Sequence, residues 1–576
     1  MGVTPLAWAA CRGHVEVVKI LLDREDINPN KSNEAGETPL LLAARNGHEG
    51  VVKLLLCRED IDPNMPSEEG QAPLWEAANR GHEGVVKLLL GRDDVDPNEP
   101  GEDGQTPLCR AAYIGREGVV KIILGRSDAN PNKTDWCSRT PLMWAADKGH
   151  EGVVKLLLGR DDVDPDKPGG HGETPLSCSA CAGHEGVVKL LLARDDVDPN
   201  KPSIEGQTPL CRAACKGHER VVELLLSRGD VDPNKPGNDG QTPLCRAACK
   251  GHEGAVRLLL GRGDVIPDQP GKDDRTPLWW AAHSGNEGAV EMLLGRGDIN
   301  PDKPDKHGRT PLYWAACNGH ERVAKMLLGR SDVNPEKPDK YGQTPLYWAA
   351  RSGNAGVVKV LLGRYDANPN KQDKDGYTPL WWAARNGNKG VVQLLLGRDD
   401  INPDKPDNYG RSPLLWAACF GHEEIVELLL RQGGVDPDKP AEDGRTPLWW
   451  ASRNGHKGMV GILLGRDDVS PDKPNKHGET PLNCSACAGH EGVVKLLLGR
   501  DDVNPNQPDE GGRTPLWWAA CNGNEGVVKL LLGREGISPN KPNIRGRTPL
   551  WWATNNGHTG VVALLQPLAS TTHSMV

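Results

Sequence analysis

Fifteen cysteines and seventeen histidines are the side chains here with the widest reach into catalysis or metal binding. Cys178-Ser-Ala-Cys181 runs three residues ahead of His184, and Cys484-Ser-Ala-Cys487 stands in the same relation to His490. Cys211 with Cys215, and Cys245 with Cys249, make two further pairs. Thiolates and imidazoles bind zinc when four of them converge tetrahedrally, about 2.3 Å from the metal for sulfur. These pairs fall on separate helices, about 10 Å apart where the units are successive, and the histidines belong to turns. They read as small residues on a helix face, and no metal is expected. Both Cys-Ser-Ala-Cys segments continue into the same Ser-Ala-Cys-Ala-Gly-His-Glu-Gly-Val-Val-Lys-Leu-Leu-Leu, which points to copying of a segment. Twelve histidines, His14 to His558, share one column in which Asn stands four times and Arg116 once. That tolerance suits turn and helix-start bonding better than catalysis. No Ser-His-Asp set, paired-carboxylate site or G-x-x-x-x-G-K-S/T loop stands out. The expectation is a protein that is not an enzyme and carries no cofactor.

The element that positions all of these residues is a repeat. Thr-Pro returns every 34 residues from Thr4 to Thr548, with Ala72-Pro73 and Ser412-Pro413 holding the same place, which makes seventeen repeats without an insertion or deletion. A period of this length predicts a solenoid in which each repeat stacks on its neighbours. The expected organisation is one array over residues 1–566 and a short tail, 567–576.

Within the repeat that begins at Thr378, Thr is the predicted N-cap of a short helix and Pro379 its first residue. Leu380, Ala383 and Ala384 share one face, and Gly387 ends the helix; all seventeen repeats have Gly there. Asn388 is placed to start a second helix carrying Val391, Val392, Leu394, Leu395 and Leu396. Gly397 and Arg398 are expected to finish it, the cation lying near the last carbonyls. A polar extended loop with a turn follows as a finger between repeats. Its first proline recurs in all sixteen complete connections, Pro29 to Pro539, and should stiffen the finger and limit strand pairing. With Phe420 as the single phenylalanine, the core is expected to be aliphatic.

These residues resemble ankyrin repeats, whose pattern appears here as Thr38-Pro39-Leu40, Ala43-Ala44, Gly47-His48, Val51-Val52 and Leu54-Leu55-Leu56. The match covers about residues 1–566. Three features depart from the family pattern: a 34-residue rather than 33-residue repeat, the proline-bearing connection, and Trp where a His commonly follows Thr-Pro-Leu. The variant is similar to ankyrin arrays of fungal NACHT-containing, NLR-like proteins, although no NACHT or P-loop sequence occurs in this chain. The resemblance implies an all-α solenoid of about 17 helix-turn-helix units with extended, β-turn fingers. It also implies a concave recognition surface of first helices and fingers, and a sensor role if the fungal likeness holds.

Counting from each repeat's Thr, offsets 2, 5, 6 and 9 are nearly constant and offsets 3, 4, 7 and 8 vary. Sixteen of the seventeen tryptophans sit at offsets 3 and 4. Trp280, Trp314, Trp348, Trp382, Trp416 and Trp450 form a Trp-rich zone; earlier repeats carry Arg110, Arg212 and Arg246 beside cysteines. The tryptophans can pack against the next repeat, anchor a partner, or do both. Arg110, Arg212 and Arg246 are expected to face solvent, and Arg351, Arg385 and Arg453 at offset 7 are preferred contacts. Trp136, in place of an ordinary finger turn, is a further candidate contact.

The net charge of −10 argues against a general phosphate-backbone binder. No apolar run approaches the roughly 18 residues of a membrane span. Unpatterned cysteines in an odd number suggest reduced thiols and a cytoplasmic setting. The expected partner is a protein or peptide ligand, with no specific nucleic acid and no membrane. Terminal repeats that look like internal ones leave end-to-end self-association, a structural role, or service to a missing upstream domain as the alternative.

Overall fold

The computed structural model describes residues 3–101, 103–364 and 366–570, with side chains through 568. Among these residues the chain forms thirty-four α-helices, one 3-10 turn at Lys272–Asp274 and no strand. They gather into two compact bodies, Met1–Asn300 and Pro301–Val576. Within each body, first helices pack on the first helices of neighbouring repeats and second helices on second helices.

The repeat at Thr378 shows why. Thr378 is extended, and its hydroxyl accepts the Trp381 amide at 3.1 Å, meeting one of the donors that a helix start leaves open. The helix Pro379–Asn386 ends at Gly387 with φ +78, where a side chain would be strained. The second helix, Lys389–Leu396, buries Val391, Val392, Leu395 and Leu396. Helices this short are marginal alone, and burial of about 1.5–3 kcal/mol per large apolar side chain against the neighbouring repeat holds them.

Stacking also uses polar bonds that reach back one repeat. Asn388 begins the second helix but makes no side-chain cap. Its amide instead donates to the Ala350 and Arg351 carbonyls, at 2.9 and 3.3 Å. Histidines of the column do the same: His82 Nε2 donates to the Arg45 carbonyl at 3.0 Å. The ring of His82 then covers Gly47, where a Cβ would lie 2.6 Å from it. The column therefore ties repeats together rather than capping its own helix. Arg398 likewise reaches the Leu362 carbonyl of the preceding repeat at 3.2 Å, while two of its nitrogens grip Asp400 at 2.9 and 2.8 Å. The expected cation at a helix C-terminus is present, but the helix it serves is the previous one. Gly397, with φ −75, is not left-handed.

The finger turn is built on Asp373, whose Oδ1 accepts the Asp375 and Tyr377 amides at 3.0 and 2.9 Å. Neighbouring fingers share single backbone bonds, such as Lys374 N–H to Tyr341 C=O at 3.0 Å, without forming a ladder. Behind the finger, Asn370 forms a seam. Its Nδ2 donates to Asp400 C=O and its Oδ1 accepts the Asn402 amide, both at 2.7 Å.

The core is not purely aliphatic. Trp279, Tyr313, Tyr347, Trp381, Trp449 and Trp517, all at offset 3, are buried. At the end of the chain the helix Thr559–Ser570 carries Pro567 and runs past residue 566. The remainder of the expected tail, 571–576, lies outside the described residues.

Candidate functional site

Offset 3 is buried in every repeat but the last, and offset 4 is half-buried in most, so the varying stripe of the sequence is two layers. In the C-terminal body the layers interlock. The offset-3 ring of one repeat meets the offset-4 indole of the next: Tyr313 with Trp348 at 5.7 Å, Tyr347 with Trp382 at 6.0 Å, Trp381 with Trp416 at 5.4 Å. These tilted and edge-on contacts suit aromatic quadrupoles. Trp314 and Trp450 hold the same half-buried position in their own repeats. The tryptophans thus pack between repeats and still show part of each ring to solvent.

Guanidinium groups pin the indoles. Arg351 lies 4.6 Å from the Trp348 ring and 4.2 Å from that of Trp382. Arg385 lies 5.2 Å from Trp382, 5.5 Å from Trp416 and 5.2 Å from Phe420. Arg453 is exposed, and its guanidinium makes no hydrogen bond or ion pair among the described residues. Contacts of this cation–π kind contribute about 0.5–1 kcal/mol when exposed and more when desolvated.

A further column, just before the cap at offset −1, also meets the indoles. Arg309 sits 4.7 Å from the Trp314 ring and Arg411 5.1 Å from that of Trp416. Their other side is held by finger carboxylates, Asp305 at 3.0 Å and Asp407 at 2.7 Å. Offsets −1 and 4 change together: Arg precedes Trp in seven repeats, Gln precedes Arg in three, and Glu precedes Cys in both Cys repeats. That covariation within one chain was the signal that could have found the column.

In the N-terminal body the expectation of solvent-facing arginines needs correction. Arg212 and Arg246 side chains are only 17% and 12% exposed, and they pair with Glu173 at 3.5 Å and Asp239 at 2.9 Å. Arg110 donates to Asn79 Oδ1 at 2.8 Å and stacks 5.4 Å from Trp75 and 5.3 Å from Tyr113. With the stripe wrapped around neighbouring rings and carboxylates, these cations turn along the surface instead of outward. Trp280 packs edge-on to Trp279 at 4.9 Å, with Arg275 5.4 Å from its ring. Trp136 is 77% exposed and rests on the finger turn before it, where a Cβ on Gly104 would come within 2.4 Å of the indole.

All fifteen cysteines are free thiols. Burial pushes Cys109 and Cys178 up to about 12 and Cys245 up to about 11, so these stay protonated at neutral pH. His184, the third member of the first Cys-His group, donates to Asp147 C=O at 3.0 Å. Among the described residues no three His, Cys, Asp or Glu side chains gather as a metal site would require. No helix among them is long and apolar enough to cross a membrane.

Stacked helix pairs with a variable outer row define a helical-repeat protein. The family described as ankyrin repeats (3 copies) matches at residues 1–67, 57–135, 127–203, 196–269, 264–339, 299–373, 357–440, 433–509 and 500–573. The chain belongs to the ankyrin-repeat family, whose arrays are typically non-enzymatic scaffolds for protein–protein contacts. No curated protein matches it.

Proposed function

We propose that the first-helix and finger face, concave in ankyrin-like stacks, binds a protein or peptide partner. In the C-terminal body the contacts are Trp314, Trp348, Trp382, Trp416 and Trp450 with Arg351, Arg385 and Arg453. In the N-terminal body Trp136 and Trp280 supply others, with Arg110, Arg212 and Arg246 lying along the same surface. The observation that supports this is the pinned aromatic row: Arg351 and Arg385 each lie across two successive indoles, so the rings are ordered before any partner arrives. An ordered anchor loses little side-chain freedom on binding, which raises affinity for a given contact area. If the resemblance to fungal NACHT-type arrays holds, this face is the sensing part of such a protein. The test is affinity capture from a native extract with the chain and with a Trp382→Ala, Trp416→Ala, Arg385→Ala variant of unchanged circular dichroism. A partner held by the first and lost by the second is the expected result; identical captures would sink the reading.

A further inference from the structure

The fifteenth repeat departs from its neighbours in both layers at once. Asn483 stands where the flanking repeats carry Trp449 and Trp517, and Cys484 where they carry Trp450 and Trp518. Short polar side chains in place of two indoles leave a hollow of about 300 Å3 between Trp449 and Trp518.

Two polar atoms of its lining are unsatisfied. Asn483 is 1% exposed; its Nδ2 donates to Gln507 C=O at 3.3 Å, and its Oδ1 has no hydrogen-bond partner. Arg445 stacks 4.5 Å from the Trp449 ring and pairs with Asp443 at 3.3 Å, yet its buried Nε–H also lacks a partner. Two residues of one hollow therefore carry an orphaned acceptor and an orphaned donor, which a ligand that reached them would satisfy. Glu479, held by Asn475 at 2.8 Å, and the unpaired guanidinium of Arg453 add one charge of each sign. In the sixth repeat, which shares the Glu–Cys pair, Glu173 is instead paired with Arg212. The Cys484 thiol is no candidate nucleophile, since burial raises its pKa and its Sγ–H points to the Pro481 and Trp449 carbonyls at 3.2 and 3.5 Å.

A carboxylate in this hollow would leave Asn483 Oδ1 unmet and face Glu479. An ammonium would leave the Arg445 Nε–H unmet and face Arg453. A flat, uncharged group with an N–H donor beside a C=O acceptor answers both atoms and lies against the indole of Trp518. We propose that the fifteenth repeat is a carboxamide-reading subsite, taking the side chain of a glutamine or asparagine in the bound partner. The proposal rests on the first-helix face being the binding surface.

The test uses the full chain with two small probes, N-acetylglutamine methylamide and N-acetylglutamate methylamide, followed by saturation-transfer NMR. The wild type should bind the glutamine probe about tenfold better than the glutamate probe, the size of one good hydrogen-bonded match. Asn483→Leu and Cys484→Trp should each abolish that binding. Both residues are native to their offsets elsewhere in the chain, as Leu415 and Trp450, so folding should survive and circular dichroism checks it. No binding by the wild type, equal binding of the two probes, or binding retained in both variants would overturn the subsite. A randomised peptide library selected on the same proteins separates this from the broader reading. Peptides that need Trp382 and Trp416 but show no Gln or Asn preference would overturn the subsite alone. A bound glutamine probe with no selected peptide would overturn the surface reading while the subsite stands.

Discussion

In the N-terminal body the outer layer carries Arg110, Arg212 and Arg246, each preceded by Gln at offset −1; in the C-terminal body it carries Trp314, Trp416 and Trp450, each preceded by Arg. The frame beneath is the same in both: left-handed glycines throughout, with Thr caps and reach-back His or Asn in nearly every repeat. Most of what changes is exchanged in matched pairs, Gln343 before Trp348 and Tyr377 before Trp382 being exceptions; a finger end and the helix it leans on share one piece of surface. The seam behind the fingers differs as well. Asn30, Asn64, Asn98 and Asn132 open the N-terminal body, whereas Asp404, Asp438 and Asp472 follow one another in the C-terminal body. The C-terminal body thus combines an aromatic, cation-pinned face with a seam that is short of donors.

The largest break in this comparison should come from the rings. Trp382→Ala removes an indole packed on Tyr347, Tyr377 and Trp381, and should cost about 2–3 kcal/mol, below a fully buried Trp because one face is already wet. Arg212→Ala should cost under about 1 kcal/mol, since it loses a partly exposed ion pair. Local hydrogen-exchange protection in the flanking second helices reads both, and equal losses would mean that the two layers carry the same load.

Next in size is the seam. Where Asn370 donates to a carbonyl, Asp438 offers only oxygens: Oδ2 accepts the Ser470 amide at 3.1 Å, and Oδ1 is buried without a partner. Burial raises its pKa, with Asp436 and Asp468 adding to the effect and Lys473, 3.8 Å away, and the Ser470 amide opposing it. Asp472 is raised in the same way, by burial and by Asp502. A carboxyl with a raised folded pKa contributes stability that is complete below its unfolded value, about 3.9, and is lost as pH rises through the folded value. The physical cause is burial, which disfavours the charged form, and an amide at this place carries no charge to desolvate. Asp438→Asn should therefore gain about 1 kcal/mol at pH 7 and little at pH 4, flattening the pH profile of exchange around it. An unchanged profile would show that the seam does not sense protons.

Much of the frame was legible because it lies inside one repeat. Thr378, Pro379 and Gly387 announce a helix start and stop through backbone chemistry that needs no neighbour. The bonds between repeats were not legible in that way. Asn388 and Arg398 each satisfy carbonyls of the preceding repeat, and no helical or turn period encodes the rise and rotation that bring those groups together. For the same reason offsets 3 and 4 looked like one variable stripe, although stacking buries Trp381 and leaves Trp382 half-exposed. The Arg–Trp and Gln–Arg pairing was visible in the columns, but only to a comparison of fingers with helices.

That pairing can be sharpened by transplanting it. Arg411→Gln and Trp416→Arg each give one half of the N-terminal pattern, and the double variant gives all of it. If the columns are matched, the double variant should be more stable than the sum of the two losses predicts, by about 1 kcal/mol, in the range of a cation–π contact. Coupling near zero would make the covariation a trace of copied repeats rather than of contact.

The smallest effect concerns the two repeats without Thr. Ser412 and Ala72 have almost the same extended backbone, φ −79 and −80 with ψ 162 and 160. Ser412 accepts the Leu415 amide at 3.2 Å, whereas Ala72 leaves the first turn of its helix without a side-chain cap. Ala72→Thr should therefore stabilise the third repeat by about 0.5–1 kcal/mol, and Ser412→Ala should weaken the thirteenth by a similar amount. The backbone at Ala72 is already set for the hydroxyl, so the gain requires no rearrangement. A null result at Ala72 beside a loss at Ser412 would locate the cap's value in the surroundings of Ser412 rather than in the helix start that both bodies share.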